Sequence, residues 1–320
     1  MDKIRHPPSL ADIETAARRI DGAVRRTPVR THRALDDALG CRVWFKCDHL
    51  QPTGAFKLRG ASHAVARLRE QGVTADVATH SSGNHGAALA WAAREDGRRA
   101  FVVMPENSVP TKVDAVRRFG GEVVFCEPGQ APREAGLADQ VAQGRVAVPP
   151  YDHPDIIAGQ GTAALELLEE APDLDCLVVP VGGGGLLAGC AIAAGGRSPT
   201  LEVIGAEPAG AADTAASLDA GRRVSSWQPE TVCDGLRALV GELNFDVIRG
   251  RVSAVLLADD AAVEEAMRLA LEAADLRLEP SAAVAIAVLR GHAERFAGRR
   301  VGVVLTGANI DTQRYPWLAA

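Results

Sequence analysis

Lys57 stands in the run Thr53-Gly54-Ala55-Phe56-Lys57-Leu58-Arg59-Gly60-Ala61. Its aromatic and apolar neighbours, following a Pro-Thr-Gly turn, draw the lysine away from the solvated surface. Burial disfavours the ammonium and lowers its pKa, which leaves the neutral amine that Schiff-base chemistry needs. The same run also reads as a helix N-terminus whose lysine snorkels to water. Spacing alone leaves the two readings level.

Three further segments place polar groups or glycines where a strand gives way to a turn or helix. Ser81-Ser82-Gly83-Asn84-His85-Gly86 opens a helix, and helix N-termini present free N–H groups to anions. Asn84 both donates and accepts hydrogen bonds, which suits a phenolic oxygen. In Val181-Gly182-Gly183-Gly184-Gly185-Leu186, four successive glycines cost too much chain entropy for a mere turn and suit a phosphate cradle. Gly183, Gly185 and Ala188, with Glu207 further on, also match a dinucleotide fingerprint. That segment alone does not choose between the two ligands. Thr306, in Leu305-Thr306-Gly307-Ala308-Asn309, offers a neutral hydroxyl at the end of the last apolar run, though by itself it reads as a strand-ending turn.

The elements that must position these groups alternate. Apolar runs at 43–46, 77–79, 100–104, 122–125, 176–180, 203–206 and 301–305 read as buried strands. Helical spacing covers 86–95, 110–119, 161–170 and 261–274. Ser9 with Asp12 forms a capping-box pattern, and Pro110 suits a first helical turn. This alternation predicts an α/β protein with parallel sheets and ligands at the carboxyl ends of strands.

Composition narrows the function classes. The chain has 320 residues, 47% hydrophobic and 24% charged, with a net charge of −6 and no basic cluster, which argues against nucleic acid as a partner. No run approaches the ~20 apolar residues of a membrane span, and the first residues lack the apolar region of a secretion signal. Six scattered cysteines without a CxxC pair suggest buried thiols in a reducing, cytoplasmic setting, with neither disulfides nor zinc.

In order and spacing these segments resemble the fold-type II pyridoxal 5′-phosphate (PLP) enzymes, specifically the serine/threonine dehydratase and serine racemase family. The resemblance runs from Pro8 to about Asp311. It includes Ile157-Ala158-Gly159-Gln160-Gly161-Thr162, Gly205-Ala206-Glu207-Pro208 and Leu278-Glu279-Pro280-Ser281. It implies a two-domain, tryptophan synthase β-like α/β fold with helices on both faces of parallel-sheet cores. Residues 1–71 and 148–320 would form the larger PLP-binding domain, and 72–147 a smaller mobile one. It resolves the glycine loop in favour of the PLP phosphate.

Position by position, the resemblance implies that Lys57 is the Schiff-base lysine and Phe56 backs the ring. Asn84 would meet the ring hydroxyl, Gly182, Gly183, Gly184, Gly185 and Leu186 the phosphate, and Thr306 the pyridine nitrogen, with Glu279 nearby. A neutral hydroxyl at that nitrogen favours loss of a β leaving group over transamination. His80, Ser81, Asn84 and His85 would hold the substrate carboxylate, with Arg133 and Ala238 also facing the substrate. Ala238 stands where relatives carry a hydroxyl, which leaves room for a larger β-substituent. Ser82 matches the opposite-face acid/base of racemases. Glu207, Ala211 and Asp213 match a site for Mg²⁺, Ca²⁺ or Mn²⁺. His153 reads as a loop histidine near the substrate side. The implied activity is ammonia release from a small β-hydroxy amino acid such as L-serine or L-threonine. Racemisation is the alternative, followed by action on 3-hydroxyaspartate or a bulkier analogue. A homodimer is expected, and a non-catalytic nucleotide-binding module is the reading from another class.

Overall fold

The computed structural model describes residues 6–81 and 83–318. Ser82 therefore lies outside the described residues, and its expected acid/base position is not among them. The strands are β1 (Val29–Arg30), β2 (Arg42–Lys46), β3 (Val77–His80), β4 (Ala100–Pro105), β5 (Glu122–Cys126), β6 (Val146–Ala147), β7 (Cys176–Pro180), β8 (Glu202–Pro208), β9 (Ala254–Ala258) and β10 (Arg300–Val304). Among the described residues they form a six-stranded sheet, ordered β1-β2-β10-β7-β8-β9, and a four-stranded sheet, ordered β5-β4-β3-β6. Every pairing is parallel except the short β1–β2 pair, which is antiparallel.

Parallel strands covered on both faces must be apolar throughout rather than alternating, and β4 and β7 are buried along their whole length. One face of the larger sheet packs Val43, Phe45, Val178 and Val303 against helices Asp260–Ala274 and Pro280–Gly291. The other packs Leu177, Val179 and Val203 against helices Pro154–Glu170 and Gly185–Arg197. A third apolar cluster joins Leu58, Ala61 and Val65 of helix Lys57–Glu70 to Val77, Ala88 and Leu89 of the smaller unit, which is built on the four-stranded sheet. Gly60 and Gly159 let two helices cross closely there, since a β-carbon at Gly159 would lie 2.6 Å from the Gly60 Cα.

The Ser9–Asp12 capping box forms in both directions, and Pro110 occupies the first turn of helix Pro110–Arg118. Helix Pro154–Glu170 begins ahead of the expected 161, with His153 as its N-cap accepting from the Asp155 N–H at 3.2 Å. All six cysteines are free thiols; Cys126 is half-buried and the other five are buried. Among the described residues no helix is long and apolar enough to cross a membrane.

Candidate active site

The carboxyl ends of three parallel strands deliver the polar segments. β3 leads into Ser81 and helix Asn84–Glu95, β7 into the glycine loop, and β10 into Thr306. Lys57 arrives at the same place by a backbone tie: the Phe56 N–H donates to the Thr306 carbonyl at 2.9 Å, and Ala55 bridges Gly307. Lys57 Nζ donates to the Pro150 carbonyl at 2.8 Å and lies 5.1 Å from the Phe56 ring centroid. Surrounding protein desolvates this amine and brings its pKa down to about 8.

Beneath that helix lies a buried set of charges. The Arg59 guanidinium donates to both Asp48 oxygens at 2.7 and 2.8 Å and to both Glu166 oxygens at 2.7 and 2.9 Å. Lys46 pairs with Glu166 at 2.6 Å and donates to the Thr27 carbonyl. Two cations and two anions balance. Burial would raise the Asp48 carboxyl, but Arg59 outweighs it and holds its pKa below the ordinary value. This set ties the first turn of the Lys57 helix to β2 and to helix Pro154–Glu170.

The glycine loop has no room for side chains. A β-carbon at Gly182 would lie 2.7 Å from the Leu236 Cα, at Gly183 2.4 Å from the Tyr151 ring, and at Gly185 2.8 Å from the Tyr151 carbonyl. Gly184 has φ +88°, in the left-handed region that favours glycine. The Gly183 carbonyl is held by Asn244 Nδ2 at 2.6 Å and by the Gly241 N–H at 3.1 Å. Asp152 in turn accepts from the Glu242 and Asn244 N–H groups at 3.1 and 3.2 Å. Gly184, at the N-cap of helix Gly185–Arg197, has no side chain to cap it, and the first residues of the helix include the buried Leu186. A narrow glycine cradle at an uncapped N-terminus, with a desolvated lysine amine nearby, fits a phosphorylated aldehyde cofactor.

Asn84 Nδ2 donates to Glu279 Oε1 at 2.8 Å, and Asn84 Oδ1 accepts from Asn309 Nδ2 at 2.8 Å. Burial raises the pKa of Glu279. Thr306 is buried, and its hydroxyl makes a long 3.4 Å bond to the Ser281 carbonyl. His85 meets the Val148 carbonyl at 3.1 Å through Nε2. Burial, then the Lys57 charge, pushes its pKa down to about 3. His80 is half-buried at the end of β3, with its pKa lowered by burial and then by the charge of Arg133. Ser81 Oγ accepts from the Gly83 N–H at 3.3 Å.

Arg133 stands apart. It is half-buried on helix Gln130–Ala142 and donates to the Gly129 carbonyl and to Gln130 Oε1. Ala238 is half-buried just beyond the turn Asp234–Leu236. Glu207 and Asp213 are buried near one another, with the Ala211 carbonyl between them in sequence. Glu207 accepts from the Thr214 and Ala215 N–H groups, both at 2.9 Å, and burial pushes its pKa up to about 7. Among the described residues no three His, Cys, Asp or Glu side chains gather as a metal cluster. Tyr151 and Asn244 flank the glycine loop without any local motif in the sequence to reveal them.

The parallel-stranded fold, the glycine cradle and the desolvated lysine together define a cofactor-dependent α/β enzyme. The chain belongs to the pyridoxal-phosphate dependent enzyme family, whose model matches residues 20–307. Within it, the chain is 41% identical to the β-hydroxyaspartate dehydratase of Paracoccus denitrificans over 311 residues, 97% of this chain and 99% of that protein. The structure of maize serine racemase matches with TM-score 0.92 and 36% identity, over 98% of this chain and 97% of that one. A T.th. threonine deaminase structure matches with TM-score 0.91 and 40% identity, over 95% of this chain and 99% of that one. The protein is thus a PLP-dependent enzyme of the group that holds these ammonia-lyases and racemases.

Proposed function

We propose that the protein is a carbon–oxygen lyase that converts a small β-hydroxy amino acid to a 2-oxo acid and ammonia. The observation that carries this reading is the Lys57 amine, brought down to about 8 and standing with Asn84, the glycine loop and Thr306 at converging strand ends. PLP, when bound, supplies the electron sink that makes an α-proton removable. The loop Gly182–Gly185 and Leu186 would hold its phosphate, Asn84 its ring hydroxyl, and Thr306 its ring nitrogen, with Phe56 and Glu279 alongside.

Lys57 then serves as the base at the substrate α-carbon, because a neutral amine near the working pH both takes and returns a proton. Ser81, His85 and the first turn of helix Asn84–Glu95 would bind the substrate carboxylate. His85 stays neutral there, so it orients the carboxylate without trapping it as an ion pair. Thr306 brings a hydroxyl and no negative charge to the ring nitrogen, which favours elimination over transamination. Arg133, whose charge reaches His80 and Tyr151, favours a substrate with a second carboxylate, such as 3-hydroxyaspartate. Glu207, Asp213 and the Ala211 carbonyl form an all-oxygen donor set suited to Mg²⁺, Ca²⁺ or Mn²⁺. Free thiols throughout suit a cytoplasmic home. A homodimer belongs to the same reading, and sedimentation tests it.

The deciding experiment is a 2-oxo acid release assay over L- and D-serine, L-threonine and threo- and erythro-3-hydroxyaspartate, with and without Mg²⁺. Lys57→Ala should abolish release, and retained turnover would refute the role given to Lys57. Chiral analysis of the residual amino acid separates lyase from racemase. Arg133→Ala should lower activity on 3-hydroxyaspartate more than on serine.

A further inference from the structure

The smaller unit meets the rest of the molecule in two different ways. Along helix Lys57–Glu70 the seam is apolar, with Leu58, Ala61 and Val65 packed against Ala88 and Leu89. Residues 230–311 are joined to it by polar groups instead. Asn84 bonds Glu279 and Asn309, and the Lys112 ammonium forms a close ion pair with Asp234. An apolar seam holds without water, whereas polar contacts exchange readily with it, so the first behaves as a hinge and the second as a mouth.

Lys112 lies on helix Pro110–Arg118 and Asp234 opens the turn Asp234–Leu236. Their side chains are 25% and 35% exposed, so solvent screens the pair in part. Other charges facing Lys112 come from the larger unit: the carboxylates of Glu279 and Asp311, and the guanidinium of Arg237. The turn that receives Lys112 also builds the cofactor seat. Leu236 backs Gly182 so closely that no β-carbon fits there, and the Gly235 N–H donates to Ser281 Oγ at 3.0 Å. The Ser281 carbonyl is the partner of the Thr306 hydroxyl.

We propose that the Lys112–Asp234 pair is a latch that holds the smaller unit closed over the site and couples closure to the seat of the cofactor phosphate. Lys112 is thereby a positioning residue that never touches the reacting atoms. Because linkage is reciprocal, occupancy of the seat favours the closed form, and closure favours retention of the occupant. The proposal rests on the PLP assignment but not on which amino acid is eliminated.

The test uses PLP-loaded protein carrying one nitroxide on Cys126 and a second on Glu294→Cys, which report the two units by pulsed spin-label distances. Glycine, which has no β leaving group, serves as the non-eliminating ligand. The unaltered pair should give one short, narrow distribution with glycine. Lys112→Met should lengthen and broaden it, raise KM about tenfold and weaken PLP retention on gel filtration severalfold, with the far-UV circular dichroism of the unaltered protein. The double exchange Lys112→Asp with Asp234→Lys should recover the short distance in part. Distances and KM unaffected by Lys112→Met, or a double exchange no better than either single change, would overturn the latch. If no amino acid yields oxo acid, the lyase reading fails while the distances still decide the latch.

Discussion

Strands β7 and β8 lie side by side, and each hands the chain to a helix, yet the two helix entrances are finished differently. After β7 the chain runs through Gly182–Gly185 and enters a 13-residue helix whose N-cap, Gly184, has no side chain to cap it. After β8, Glu207 reaches forward and accepts the N–H groups of Thr214 and Ala215, so helix Asp213–Asp219 begins with acceptors supplied by the chain itself. A helix N-terminus attracts negative charge in either case. Where the protein brings its own carboxylate the entrance is closed, and where it brings only glycine the entrance is left for a ligand.

The largest effect should come from filling the open entrance. Gly183→Val would drive a branched side chain into Tyr151 and reduce PLP retention on the order of a hundredfold, read from cofactor absorbance after gel filtration. Retention like that of the unaltered protein would break the comparison. Next comes Asn244→Leu, which releases the Gly183 carbonyl and should weaken retention about tenfold without emptying the site. The open entrance also predicts a pH dependence. In cofactor-free protein the Lys57 amine, lowered to about 8, is a protonated, unreactive ammonium below that pH and a nucleophile above it. Stopped-flow capture of PLP should therefore quicken as pH rises through 8, and a flat profile would remove Lys57 from the role. The smallest change belongs to the closed entrance: Glu207→Gln replaces one of the two acceptors of the Thr214 and Ala215 N–H groups by a donor and should cost about 1 kcal/mol in chemical denaturation at about pH 6, where the carboxyl, raised to about 7, is mostly protonated.

The long apolar strands were legible because burial on both faces leaves an uninterrupted pattern, as in Ala100–Pro105 and Cys176–Pro180. Strands β1 and β6, two residues each, carry no pattern at all, and β9 is an edge strand with only Ala258 fully buried. Helix Pro154–Glu170 reads short in the sequence because Gly159 and Gly161 look like breakers. The structure uses them for contact, since a β-carbon at Gly161 would lie 2.8 Å from the Gly189 carbonyl. In the site, Lys57, Asn84 and the glycine loop stand out locally in the sequence, but their roles follow only from their order along the chain and the family resemblance it carries. Tyr151 beneath Gly183, Asn244 on its carbonyl, and Asp234 facing Lys112 do not, because each meets its partner only after the chain has folded back across the molecule.

The buried charges below Lys57 bear on how such a chain can change over generations. Arg59, Asp48, Glu166 and Lys46 cancel only as a set. Losing one strands an uncompensated charge at about 3–5 kcal/mol, a large share of the ~5–15 kcal/mol that keeps a domain folded. Every single-step route away from the quartet therefore passes through a poorly folded intermediate. The four positions should be inherited as one block, fixed in descendants even where the substrate-facing residues above them drift.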